Sequence, residues 1–68
     1  MEISARNQLS GTIKQLTLGT VMAEVVIAVG ENEIVAAVTR GSVESLGLKT
    51  GDRVLAVIKA TEVMVAKP

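Results

Sequence analysis

The stretch from residue 20 to 29 is apolar on both faces of any strand it forms. Val21, Ala23, Val25, Ile27 and Val29 share one face, while Met22, Val26 and Ala28 share the other with Glu24. Successive side chains point to opposite sides of a sheet, so this strand has to be covered on both. The chain has 68 residues, 49% of them hydrophobic, without a single Phe, Tyr or Trp. A chain this short buries only roughly 60% of the surface it exposes when unfolded. The second cover is therefore more easily supplied by another subunit, and self-association is the expected outlet for the excess apolar surface. Neither Cys nor His is present, so disulfides and the common transition-metal ligands cannot supply the stability that a small core lacks.

The remaining pattern is mostly strand. Leu9, Gly11 and Ile13 alternate with Ser10, Thr12 and Lys14, the period of a half-buried strand, and a turn is expected at Leu18-Gly19. Gly30-Glu31-Asn32 is a hairpin signal leading into a strand over residues 33–39. Gly41-Ser42-Val43-Glu44-Ser45-Leu46-Gly47 reads as a short helix, with Thr39 or Ser42 as its cap and Gly47 in the left-handed position that ends it. After a turn at Gly51-Asp52, Val54, Ala56 and Ile58 alternate with Leu55, Val57 and Lys59 in a fourth strand, and Val63 and Val65 mark a fifth. These elements predict an all-β domain over residues 1–68, a five-stranded OB-like barrel with one short helix, in an oligomer.

Missing residue types exclude several functions. Without His or Cys the usual general bases and sulfur nucleophiles are gone, which argues against an enzyme. Without aromatic rings there is no platform for stacking bases. Seven basic and seven acidic residues cancel, and the pI is about 6.2, so no basic field attracts nucleic acid. No run approaches the roughly 20 apolar residues of a membrane span. The start, Met1-Glu2-Ile3-Ser4, lacks the features of a leader, so a soluble cytoplasmic protein is expected.

Two segments carry the remaining chemistry, Ser4-Ala5-Arg6-Asn7-Gln8 and Val57-Ile58-Lys59-Ala60-Thr61. Each places a cation beside small hydroxyl residues on a segment that otherwise reads as strand. A tetrahedral dianion without a proton offers acceptors only, so its site should present donors only. Ser4 and nearby amides, Arg6, Lys59, and Ser42 at the helix start form such a donor set. It needs the first strand, the helix start and the fourth strand to converge, within the chain or across a subunit boundary. Structural uses stand beside this reading: Arg6 paired with Glu2 or Glu62, Lys59 reaching solvent, Ser42 as a cap, and Asn7 and Gln8 as plain turn or edge residues. Glu24 reads as half of an ion pair at a subunit interface.

Two other classes are open. Residues 41–57 resemble the helix–turn–strand segment of PDZ domains, although no carboxylate-binding glycine loop precedes a suitable strand. A small DNA-binding or regulatory dimer is the other alternative, and the even charge balance argues against it.

Taken together, Ile3-Ser4-Ala5-Arg6-Asn7-Gln8-Leu9 with Gly11 resembles the opening motif of the molbindins, small molybdate-binding proteins of the Mop/TOBE type. The resemblance continues through Met22-Ala23-Glu24-Val25, Ser42-Val43-Glu44-Ser45-Leu46-Gly47, and Val57-Ile58-Lys59-Ala60-Thr61-Glu62-Val63-Met64. It implies a hexamer, a trimer of dimers, with oxyanion sites between subunits. It also implies that Ser4, Ala5 and Arg6 meet the anion from one subunit. Lys59 and Ala60 would approach from a neighbour, with Ser42 near the helix start. Where family members often carry Ser after the lysine, this chain has Ala60 and then Thr61, leaving the Ala60 amide as the donor there. The segment Thr39-Arg40-Gly41 departs from the more acidic version expected before the helix. The implied function is cytoplasmic binding of molybdate, for storage or homeostasis, with tungstate bound equally well. Phosphate carries a proton that wants an acceptor, and sulfate is too small to meet every donor.

Overall fold

A computed structural model describes residues 2–68, and Met1, the first residue of the Met1-Glu2-Ile3-Ser4 start, lies outside them. Strand β1 (Asn7–Leu18) is followed by β2 (Met22–Val29), β3 (Asn32–Thr39), helix α1 (Arg40–Leu46), β4 (Arg53–Ile58) and a 3₁₀ turn, Ala60–Glu62. The strands form one antiparallel sheet in the order β3-β2-β1-β4.

β1 organises this sheet. Its first half pairs with β4, from Asn7 opposite Ile58 to Thr12 opposite Arg53. Its second half pairs with β2, and the register slips between Ile13 and Gln15, leaving Lys14 as the extra residue of a bulge. A bulge bends its strand and increases the local twist, which lets one long strand serve two partners in succession. Gly11 is required at this crossing, since a Cβ there would lie 2.6 Å from both the Ala28 carbonyl oxygen and Ile27 Cγ2. The β2–β3 hairpin closes through Gly30-Glu31, with Gly30 at φ 60°, where a two-residue loop needs a glycine.

The core is the predicted face of β2 and its neighbours, except for Val21, which precedes the strand and is 69% exposed. Ile13, Ala23, Val25, Ile27, Val43 and Ala56 are buried, with Leu16, Val29, Ile34, Ala36, Val38, Leu48 and Val54 packed around them. Val43 is the only buried residue of α1 and joins the helix to the core. Thr39 caps the helix, its Oγ1 accepting from the Ser42 amide at 3.0 Å, and Gly47 ends it at φ 63°. Ser42, the other cap candidate, lies inside the helix.

Two expectations are corrected. Val63 and Val65 do not form a fifth strand among the described residues. A 3₁₀ turn follows β4, and Met64 and Val65 beyond it pair with no strand and are 92% and 94% exposed. The barrel is accordingly not closed. The curled sheet leaves an apolar groove of about 450 Å³ lined by Ile34, Val38, Leu48, Val54 and Ile58 among others, over a floor that includes Ile13. The second face of β2 is also only partly covered, since Met22 and Glu24 are exposed while Val26 and Ala28 are half-buried.

Candidate functional site

Antiparallel pairing of β1 with β4 places Asn7 opposite Ile58, and one further step along both strands brings Arg6 to Lys59. The segments that flank this end of the ladder line one cleft of about 510 Å³, formed by Ile3, Ser4, Ala5, Arg6, Lys59, Ala60 and Thr61. Six of the seven residues nominated from sequence therefore meet in one place within a single chain, including Lys59 and Ala60, which were expected from a neighbour. All of the lining residues except Ala5 are exposed, so the cleft is open to solvent.

Its lining is mostly apolar and gathers a few donors. Arg6 and Lys59 bring charge, and the hydroxyls of Ser4 and Thr61 can turn to donate. The 3₁₀ turn makes its first hydrogen bond from the Glu62 amide to the Lys59 carbonyl at 2.9 Å. The amides of Ala60 and Thr61 precede that bond and are not used by the turn. On the other wall, Gln8 Nε2 donates to the Ala5 carbonyl at 2.8 Å, closing a loop over residues 5–8. Ile3 supplies an apolar wall.

Charge sharpens the picture. Among the described residues the ion pairs are Lys14 with Glu33, Arg40 with Glu44, and Lys49 with Asp52. Arg6 and Lys59 appear in none of them, so the pairing of Arg6 with Glu2 or Glu62 is not formed. Glu24 is exposed and likewise in no ion pair among the described residues. No group of His, Cys, Asp and Glu able to hold a metal ion occurs among the described residues. None of their helices is long and apolar enough to cross a membrane.

Ser42 is not brought to this cleft. The Arg40 amide donates to the Val21 carbonyl at 2.8 Å, and Arg40 Nη1 donates to the Gly19 carbonyl at 3.2 Å. The helix start is thus tied to the Leu18 end of β1, while the cleft lies at the Asn7 end. At about 3.3 Å per residue, a strand of this length separates its ends by up to roughly 36 Å along its path. Ser42 is occupied locally, its Oγ lying 2.7 Å from Thr39 Oγ1. Sequence reasoning missed Ile3, whose alternation with Ala5 was the available signal, and Gln8, whose backbone partner no pattern reveals.

The comparisons with known proteins converge. The chain is 48% identical over 66 residues to molybdenum-pterin-binding protein 1 of Clostridium pasteurianum, covering 96% of this chain and 97% of that one. It superposes with a TM-score of 0.94, at 49% identity, on a solved molybdate-binding protein from Sporomusa ovata, covering 98% and 100% of the two chains. It also matches the cytoplasmic molybdate-binding protein ModG, with a TM-score of 0.81 and 48% identity over 88% of this chain and 43% of ModG. These relatives are named for binding and not for catalysis. With the TOBE domain matching residues 3–65, the chain belongs to the TOBE domain family.

Proposed function

We propose that this chain binds molybdate at the Arg6–Lys59 cleft and performs no catalysis. The observation that carries the reading is the meeting in one cleft of two cations that have no carboxylate partner among the described residues, in a chain whose near relatives are named for molybdenum or molybdate. Ser4, Ala5 and Arg6 would hold one side of the anion, and Lys59, Ala60 and Thr61 the other. A charge-assisted hydrogen bond contributes about twice as much as a neutral one, so Arg6 and Lys59 supply most of the affinity. The lining offers donors to four oxygens that carry no proton. Tungstate has the same charge and shape and should bind equally well.

Residues 1–68 are read as one molbindin-like domain that works as an oligomer. The exposed Val63, Met64 and Val65, the open groove and the unclosed cleft all support assembly. A hexamer, a trimer of dimers, would complete the OB-like barrel. It would also close the site and bring Ser42 of a neighbouring copy toward the anion, which the fold of one chain prevents. A cytoplasmic storage or buffering role suits a binder without catalytic groups.

Calorimetric titration with molybdate, tungstate, sulfate and phosphate tests this reading. Molybdate and tungstate should bind alike and far more tightly than sulfate or phosphate. Equal affinity for all four anions, or no binding, would remove it. Light scattering tests assembly separately, with a hexamer expected and a stable monomer contradicting the oligomeric part.

A further inference from the structure

We propose that Gln8 is a positioning residue for the anion cleft, holding the Ala5 carbonyl away from the ligand so that the wall presents donors alone. This inference rests on the anion-binding reading of the cleft and deepens it. Gln8 does not line the cleft, whereas Ala5 and Arg6 do, and its Nε2 donates to the Ala5 carbonyl at 2.8 Å. The Ala5–Arg6 peptide is trans, as are all the peptide bonds among the described residues. In a planar trans peptide the carbonyl and the following N–H point in opposite directions. Fixing the Ala5 oxygen on Gln8 therefore turns the Arg6 amide away from Gln8, which is outside the cleft lining. One hydrogen bond thus removes an acceptor from the cleft and orients a donor.

The consequence is selectivity. Molybdate near neutral pH carries no proton and gains nothing from an inward carbonyl, which repels it. Every phosphate species at that pH carries at least one O–H, and a freed Ala5 carbonyl would accept from it. Releasing the carbonyl should weaken molybdate and favour phosphate, a change that general loosening of the chain does not produce.

The test compares the full chain with Gln8→Met, which keeps the side-chain length without the donor, and with Gln8→Ala. Molybdate and inorganic phosphate affinities are measured by calorimetry, with circular dichroism as the check on folding. Gln8 is exposed, so both variants should fold. Molybdate affinity should fall about three- to tenfold in both, the range set by one neutral hydrogen bond, and the molybdate-to-phosphate preference should shrink further. Unchanged molybdate affinity, or an equal loss for both anions, would overturn the role of Gln8. Arg6→Ala separates the two levels. If the parent binds and Arg6→Ala weakens it while the Gln8 variants keep the same preference, only the Gln8 inference fails. If the parent does not bind molybdate, both fail.

Discussion

The two ends of β1 treat positive charge in opposite ways. Toward the helix, Arg40 lies 3.6 Å from Glu44 Oε1, four residues on, and Lys49 lies 3.2 Å from Asp52 Oδ1, three residues on, while Arg53 is held by the Ser10 hydroxyl at 3.3 Å. Lys14, in the bulge, meets Glu33 on β3. At the Asn7 end, Arg6 and Lys59 face a shared cleft and form no ion pair among the described residues. Where a charge serves the fold, a partner within the chain is supplied, a carboxylate for Lys14, Arg40 and Lys49 and a hydroxyl for Arg53. Where two cations are gathered and left without one, an external anion is the natural counter-charge. The contrast separates residues that hold the chain together from residues that hold a ligand.

That separation breaks first, if it breaks, in the core. Ile13 is 1% exposed and sits where β1 passes from one partner to the other. Ile13→Ala should lower stability by about 2–5 kcal/mol in chemical denaturation, through lost burial and the cavity left behind. The comparison requires Arg6→Ala to leave the denaturation midpoint almost unchanged, because Arg6 is exposed and its guanidinium forms no ion pair among the described residues. Arg6→Ala and Lys59→Ala should instead each weaken molybdate by roughly ten- to a hundredfold in calorimetry, the equivalent of about 1.5–3 kcal/mol for a charge-assisted bond.

Smaller effects sharpen the other end. Thr39→Ala removes the cap on α1 and should cost about 1 kcal/mol of stability, read as a lower midpoint with anion affinity in the single chain untouched. Lys49→Ala breaks an exposed pair, its side chain 78% accessible, and should change stability by no more than about 1 kcal/mol. A stability loss for Lys49→Ala as large as that for Ile13→Ala would mean that surface pairing, and not burial, holds this end together.

Much of the fold was legible because each strand announces itself by alternation and each turn by glycine. Ala23, Val25 and Ile27 were placed on one face by their period, and they are the buried face. The Thr39 cap and the Gly47 stop follow from side-chain and backbone chemistry that acts within four residues. Lys14 escaped notice because a bulge adds a residue without changing composition. Val63 and Val65 were misread because β-branched residues form a strand only where another strand pairs with them, and pairing is a property of the fold. The site divides along the same line. Ser4, Ala5 and Arg6 and the trio Lys59, Ala60 and Thr61 were visible as motifs, but their meeting depends on the β1–β4 register. Ser42 was grouped with them by its chemistry, and the tethering of Arg40 to the Gly19 and Val21 carbonyls places it elsewhere. Gln8 could not be told from an edge residue until its bond to Ala5 was seen.

Anomalous diffraction at the molybdenum absorption edge, from crystals of this chain grown with molybdate, tests the central claim most directly. The account predicts a molybdenum peak within hydrogen-bonding range of the Arg6 guanidinium and the Lys59 ammonium, its oxygens met only by donors. A peak against other residues, or a carboxylate bound to Arg6 and Lys59 in place of the anion, would contradict it.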